Sequence, residues 1–389
     1  MGGEDQARAK SAKPRVLVLT TTFPASEKDG SPSFVLDICQ SLVSNFDILV
    51  VTPAIPGARS HDDLSRVEVR RFRFLGPFNS DLARGSILEN ARARPHYWLQ
   101  VPFFMVSFWL ASFRALRIFR PDVVHAHWIL PGGLIARLLP KVPRVITSHG
   151  SDVYALRSPL ARYLRTWALQ ESEVSVVNSD MKKKVQAIAP NSPVRVIPGG
   201  LIDLKPSGAT RKPRHVLFVA RMVPKKGLQY LLEAQQNLDC ILHVVGDGPL
   251  LDYYKGLAGP RVTFHGQQSK ERVFSWMESC EILVLPSLQE GMPVTLMEAC
   301  AAGIAVVATN LPGVVEMIKD GEDGILVPPE DSGAIQDALT RLLETPGLSA
   351  QMGQKLQQKA NRFSRETVAG QYSDLLHQAL AKEQGRTNG

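Results

Sequence analysis

Cysteine is scarce: the 389 residues include four, Cys39, Cys240, Cys280 and Cys300. Their spacing matches neither a zinc site nor a disulfide framework, so a stapled secreted scaffold is excluded and reduced core thiols are expected. Polarity is not excessive either. Apolar residues make up 44% and charged residues 21%, which excludes wholesale disorder. No basic segment carries a nucleic-acid motif, so nucleic acid is not an expected partner. The opening residues, MGGEDQARAKSAKPR, lack the apolar h-region of a signal peptide, so a cytoplasmic location is expected. Residues 1–13 and the tail after about residue 382 read as disordered.

A clean apolar run of bilayer length is also missing. The nearest is Arg92 to Arg120, RARPHYWLQVPFFMVSFWLASFRALRIFR. Gln100, Pro102, Ser107, Ser112 and Arg114 break it, and its longest reading falls short of the ~20 residues that spanning needs. Two readings follow. A buried or half-buried helix is put first. The second is an interfacial helix with arginines at headgroup level, helped by Arg70, Arg71, Arg73 and Arg84. That reading would make an anionic membrane surface a partner, reached through the basic first half: residues 1–199 carry 26 Lys+Arg against 16 Asp+Glu, the remainder 19 against 21.

What is abundant is alternation. Short β-branched runs alternate with helical patterns from end to end, the signature of βαβ units and a mostly parallel sheet. The length favours about two domains. Strands are expected at Arg15–Thr20, Asp47–Thr52, Val67–Phe74, Asp122–His127, Arg144–Ser148 and Glu173–Asn178. A second set follows at His215–Ala220, Ile241–Val245, Val262–Phe264, Ile282–Pro286, Ala305–Ala308 and Gly324–Val327. A Lys/Pro/Ser/Gly-rich stretch, LKPSGATRKPR, separates the sets. The expected domains are 14–200 and 201–361, each α/β and doubly wound, with a helix over 362–381 that returns to the first domain.

In such sheets ligands bind beyond the carboxyl ends of the strands. His127, His149, Arg221 and Glu290 all fall there. In Leu285 to Ala302, LPSLQEGMPVTLMEACAA, Glu290 lies in a loop, Pro293 suits the first helical position and Glu298 lies within the helix. Side chains lean toward a helix N-terminus, so both carboxylates can face one crevice, where free backbone N–H groups also favour a phosphate. For two isolated glutamates solvated surface is the more frequent outcome. In Val219 to Gly227, VARMVPKKG, Arg221 offers a fixed fork and Lys226 a mobile point charge, a pair suited to charge growing on a leaving diphosphate. Alone they too would read as surface, as Lys225 does. Gly246 lies in the turn GDGPL, which lacks the full dinucleotide fingerprint and does not indicate NAD. His125 and His127 share a strand face, but no third ligand lies nearby and no metal is expected. Asp62-Asp63 reads as a solvated loop pair.

Taken in order, Ser148-His149-Gly150-Ser151-Asp152, VARMVPKKG, GDGPL and Glu290-x7-Glu298 resemble the motifs of family 4 of the retaining glycosyltransferases, over about residues 14–380. The resemblance implies the GT-B fold, two Rossmann-like doubly wound domains facing across a cleft, the first binding the acceptor and the second the donor. It implies a metal-independent, hexosyltransferase-like retaining enzyme without cofactor, whose substrates are a UDP-, GDP- or ADP-sugar and an acceptor hydroxyl such as that of a glycolipid or polysaccharide precursor. His149, Glu290, Arg221 and Lys226 would be catalytic. Arg221, Lys226, Gly246, Glu290, Gly291, Met292, Val294, Thr295 and Glu298 would bind the donor, with Glu298 on the ribose. Two departures stand out. The loop after the first strand is TTTFPASEKDGSPSF, with Gly30 and Ser31 where small residues are expected; with Asp152 they are candidates for an acceptor or phosphate loop. The usual Asn-Gly after the sixth strand is Gly199-Gly200, a tight turn. Alternatives are a nucleotide-sugar epimerase, a sugar-phosphate synthase, or a donor-binding scaffold without activity.

Overall fold

The computed structural model of the chain describes residues 13–26, 34–75, 81–83, 87–154, 158–200 and 208–387. Two compact units divide it: Met1–Val177 with Met181–Ile197 and Ala369–Gly389, and Asn178–Asp180 with Pro198–Val368.

The first unit is built on β1 (Arg15–Leu19), β2 (Asp47–Pro53), β3 (His61–Leu64), β4 (Val67–Phe72), β5 (Val123–His127), β6 (Arg144–Ser148), β7 (Glu173–Val176) and β8 (Val194–Val196). The sheet order is β3-β4-β2-β1-β5-β6-β7-β8. All pairings are parallel except β3 with β4. Every residue of β5 and β6 is buried, as expected for strands covered on both faces. Among the helices are α1 (Phe34–Leu42), α2 (Val101–Phe119), α3 (Leu134–Leu138) and α4 (Pro159–Leu169). Helix α2 lays Phe104, Phe108, Ser112 and Ala115 on strands β1, β2 and β4.

Two strands escape the sequence reading. His61–Leu64 is polar, and Asp62-Asp63 is corrected here from loop to edge strand. Ser65 and Arg66 both have positive φ, 52° and 71°, the two-residue hairpin geometry that turns β3 back onto β4 without the usual Asn or Gly. Asp63 Oδ1 accepts from the Arg66 amide at 2.8 Å and supports the turn. Strand β8 has three residues, too few for a periodic signal.

The second unit holds β9 (His215–Val219), β10 (Ile241–Val245), β11 (Val262–Phe264), β12 (Ile282–Leu285), β13 (Ala305–Thr309) and β14 (Ile325–Val327), with α5 (Leu228–Gln235), α6 (Lys270–Ser279), α7 (Val294–Ala302) and α8 (Ser332–Glu344) among its helices. Its order is β11-β10-β9-β12-β13-β14, all parallel. Alternation sends Val216 and Phe218 into one core with Leu231 of α5 and Leu339 of α8. Leu217 enters the opposite core with Met277 of α6 and Met297 of α7.

The last helix, α9 (Arg365–Thr387), is longer than expected and continues through the tail read as disordered. Its distal part belongs to the first unit. Tyr372, Leu375 and Leu376 are fully buried, the His377 ring packs 5.0 Å from Phe46, and Lys382 pairs with Glu173. That apolar stripe and terminal ion pair explain why the tail is helical. All four cysteines are buried and free. Truncating Leu376 to Ala should cost about 2–5 kcal/mol, read as a lower urea midpoint at unchanged slope; an unshifted midpoint would show that α9 is not packed as described.

Candidate functional site

In the second unit the chain runs outward from β9 to β10 and β11, then returns to the other side of β9 as β12. Strand order therefore reverses between β9 and β12. Beyond their carboxyl ends lies the crevice position at which doubly wound sheets take ligands. The loop after β9 carries Arg221 and Lys226, and the loop after β12 carries Glu290.

Backbone contacts hold these loops close. The Met222 amide donates to Asp247 O at 2.8 Å, and the Leu288 amide donates to Lys225 O at 2.8 Å. The first bond joins the loops after β9 and β10, the second those after β9 and β12. Both approaches need glycine. Gly246 has φ +133°, and a Cβ there would lie 2.0 Å from Ala220 O; Gly227 has φ +66°, and its Cβ would meet Pro286 O at 2.0 Å. No larger residue fits either position without moving backbone.

Side chains complete the crevice. Lys226 Nζ donates to Glu290 Oε1 at 2.5 Å, with side-chain exposures of 22% and 13%. Ser287 Oγ donates to the same oxygen at 2.8 Å, and Thr309 Oγ1 at the end of β13 donates to Ser287 O at 2.5 Å. Among the described residues Glu290 Oε2 receives no hydrogen bond. Arg221 is exposed, and among the described residues nothing engages its guanidinium. The crevice thus carries one tethered cation, one untethered cation and one open carboxylate oxygen. Ser287 and Thr309 are ordinary polar residues in sequence and were missed: Ser287 reaches Glu290 through the fold of their shared loop, and only the β12–β13 register brings Thr309 to Ser287.

Gly291, Met292 and Thr295 are half-buried and Val294 is 39% exposed. Pro293 is not the first helical residue but the N-cap of α7, with extended backbone at φ −72°, ψ 120°. The first N–H groups of the helix are those of Val294 and Thr295. Glu298 is half-buried on α7, flanked by buried Met297 and Ala299.

The first unit reverses its strand order between β1 and β5. At that end His127 Nδ1 and His149 Nε2 share a hydrogen bond of 2.9 Å, their rings stacked at 5.2 Å. His125 Nε2 bonds Thr147 Oγ1 at 2.7 Å, and Thr147 bonds Ser175 at 2.7 Å. The His149 ring also packs against Phe34 at 4.7 Å and Trp128 at 5.1 Å. Burial pushes His125 and His149 down to about 3, the nearby His125 adding to the effect on His149, and pushes His127 well below its ordinary value. The three imidazoles are neutral at physiological pH.

Asp152, a candidate for ligand contact, has both carboxylate oxygens occupied by protein. Ser148 Oγ donates to Oδ1 at 2.6 Å and the Ile129 amide to Oδ2 at 2.5 Å, while burial raises its pKa against these bonds. It thus clips the loop after β5 to the His149 turn. Gly30 and Ser31 lie outside the described residues. Gly200 does not have the positive φ of a tight turn; a Cβ there would lie 2.7 Å from Met297 Sδ.

Two doubly wound units, each with a polar cluster at its switch point, define a ligand-binding α/β enzyme fold of the GT-B type. Models of two sequence families together cover residues 28–359: Glycosyltransferase Family 4 over residues 28–203 and Glycosyl transferases group 1 over residues 202–359. The chain belongs to this family of glycosyltransferases. It is 24% identical to N-acetyl-alpha-D-glucosaminyl L-malate synthase of Bacillus anthracis over 67% of this chain and 75% of that protein. It is 28% identical to D-inositol 3-phosphate glycosyltransferase of Corynebacterium efficiens over 67% and 72%. Sucrose-phosphate synthase of Thermosynechococcus elongatus superposes with a TM-score of 0.80 at 21% identity, covering 95% of this chain and all of that one. Anabaena HepE, solved in complex with UDP and glucose, gives 0.71 at 19% identity over 94% and 100%.

The neutral histidines carry a pH dependence. His125 stays unprotonated in the folded protein down to about 3, whereas in the unfolded chain it takes a proton below about 6.5. Between those values the unfolded state binds more protons, so stability falls as pH falls. His125→Gln should reduce the slope of unfolding free energy against pH by roughly 1 kcal/mol per unit in that window, read from urea melts across pH; an unaltered slope would contradict the buried neutral state.

Proposed function

We propose that the chain transfers a hexosyl unit, with retention at the anomeric carbon and without a metal, from a nucleoside diphosphate sugar to an acceptor hydroxyl. The observation that carries this reading is the Lys226–Glu290 pair at the β9/β12 switch point, with Arg221 exposed on the same loop as Lys226. A diphosphate needs cationic donors that gain strength as charge builds on the leaving oxygen. Arg221 supplies a fork, Lys226 a mobile ammonium, and the first amides of α7 a helix start, so together they do the work that a metal does elsewhere.

Glu290 has a second task. Its Oε1 holds Lys226 in place, and Oε2 is open to accept from a sugar hydroxyl. Glu298 would accept from the ribose hydroxyls, and Gly246, Gly291 and Met292 would present backbone to the donor. In the first unit His149 is neutral, so it offers a hydrogen bond to sugar or phosphate oxygen rather than a positive charge. As the anomeric C–O bond breaks with its electron pair leaving on the diphosphate, the acceptor oxygen bonds the same face of that carbon and passes its proton to the departing phosphate oxygen. Anabaena HepE, of similar fold, has been solved with UDP-glucose, which supports a nucleoside diphosphate sugar as donor.

Turnover against a panel of UDP-, GDP- and ADP-sugars tests this. Lys226→Ala should lower kcat/KM by about 10²–10³. Unchanged turnover in that variant would remove the role assigned to Lys226. Isomerised nucleotide sugar formed without acceptor would mark an epimerase, and binding without turnover across acceptors would mark a scaffold.

A further inference from the structure

Helix α2 and the 3-10 turn before it form one continuous helical segment, Pro95–Phe119, with the length and composition of a membrane span. That corrects the sequence reading, in which polar interruptions made the segment too short. What argues against spanning is its packing, because Phe104, Phe108 and Ser112 are fully buried against the sheet. The opposite face is another matter. Leu99 is 76% exposed, Phe103 60%, Val106 57% and Leu110 52%, a continuous stripe at helical spacing. The helical layer carries the apolar surface onward: Trp109 Nε1 donates to the carbonyl of Leu138 on α3, whose side chain is 48% exposed. Isolated exposed apolar residues are ordinary, but a contiguous patch marks an interaction surface.

The charge around the patch selects its occupant. Between residues 90 and 121 the chain has five arginines, Arg92, Arg94, Arg114, Arg117 and Arg120, and no Asp or Glu. All five are exposed. They bracket the apolar stripe at both ends, Arg92 and Arg94 before Leu99 and the other three after Leu110. The Arg117 guanidinium sits 4.8 Å from the Phe113 ring centre, so its stem lies on apolar surface while its charge reaches outward. Trp98, 50% exposed, stands at the N-terminal end, as an amphipathic ring does at a headgroup boundary. An apolar strip with arginines at both ends and no acidic residue along its own segment matches an anionic lipid surface.

We propose that this face of α2 lies in the surface of an anionic bilayer, with Leu99, Phe103, Val106 and Leu110 in the acyl boundary and the flanking arginines among the headgroups. Of the further arginines named from sequence, Arg73 is exposed, and the others do not add to this surface. Arg70 is paired with Glu68, Arg71 is buried and donates to Pro24 O and Arg59 O, and Arg84 lies outside the described residues. The surface belongs to the Pro95–Phe119 segment itself. Membrane docking stands apart from the transfer reaction, since it is read without turnover.

Co-sedimentation of the full chain with vesicles of phosphatidylcholine, alone or mixed with phosphatidylglycerol, tests it at low and high salt. The protein should pellet with the anionic vesicles at low salt. Arg114→Glu combined with Arg117→Glu should weaken partitioning by about 25-fold or more, at roughly fivefold for each arginine lost. Phe103→Ser combined with Leu110→Ser should also release the protein, and circular dichroism should show both variants folded, since all four positions are exposed. Wild type left in the supernatant, or variants that partition as wild type does, would overturn the proposal. So would wild type that scatters light as a dimer, fails to bind vesicles and becomes monomeric in the Phe103/Leu110 variant, because a second copy would then cover the face.

Discussion

The ion pair between Lys226 and Glu290 joins the two loops that flank the reversal of strand order in the second unit, and the layout of that crevice follows from it. Both side chains are largely withdrawn from water, so neither charge would be held there alone without a desolvation cost. Glu290 in turn depends on Ser287, and Ser287 on Thr309. The pair therefore rests on three adjacent strands, β9, β12 and β13. On the proposed reading an incoming diphosphate gives Lys226 a second anionic partner while Glu290 keeps it oriented, so little reorganisation accompanies binding.

The two units follow one topological rule with opposite electrostatics. At the switch point of the second, exposed or half-exposed cations dominate. At that of the first, three stacked or hydrogen-bonded imidazoles are held neutral by burial, with the Asp152 carboxylate used internally to fix the turn. A cationic cluster suits a leaving diphosphate, and a neutral one suits hydroxyls, which gain from hydrogen bonds and lose little for lack of charge. Away from both clusters, α2 shows a third pattern, exposed apolar residues with arginines at both ends of the segment and no acidic residue between positions 90 and 121.

Much of this was legible in sequence because fully buried parallel strands leave short β-branched runs that need no partner to be recognised. Arg144–Ser148, buried throughout, and Ile241–Val245, buried in all but its first residue, match to the residue; the edge strand Val262–Phe264 matches too, though it is only half-buried. The motif residues Arg221, Lys226, Glu290 and Glu298 could be placed on a loop or a helix for the same reason. What could not be read depends on distant pairing. Strand β3 is polar and exists because a hairpin with two positive φ values sets it on β4. The tail after residue 382 is helical because α9 finds a groove and an ion pair in the first unit. His215, His243 and His265 are far apart in sequence, yet the pairing of β9, β10 and β11 chains them at 2.8 and 3.0 Å. Asp152 looked available and proved to be a clip, since nothing in SHGSD reveals that the Ile129 amide would reach it.

Diffraction from crystals grown with UDP would test the central claim most directly. The account places the pyrophosphate beyond the carboxyl ends of β9 and β12, within hydrogen-bond reach of Arg221 and Lys226 and the start of α7, with a Glu298 oxygen on the ribose. Nucleotide density at another edge of the sheet, with the Lys226–Glu290 pair untouched by phosphate, would contradict it.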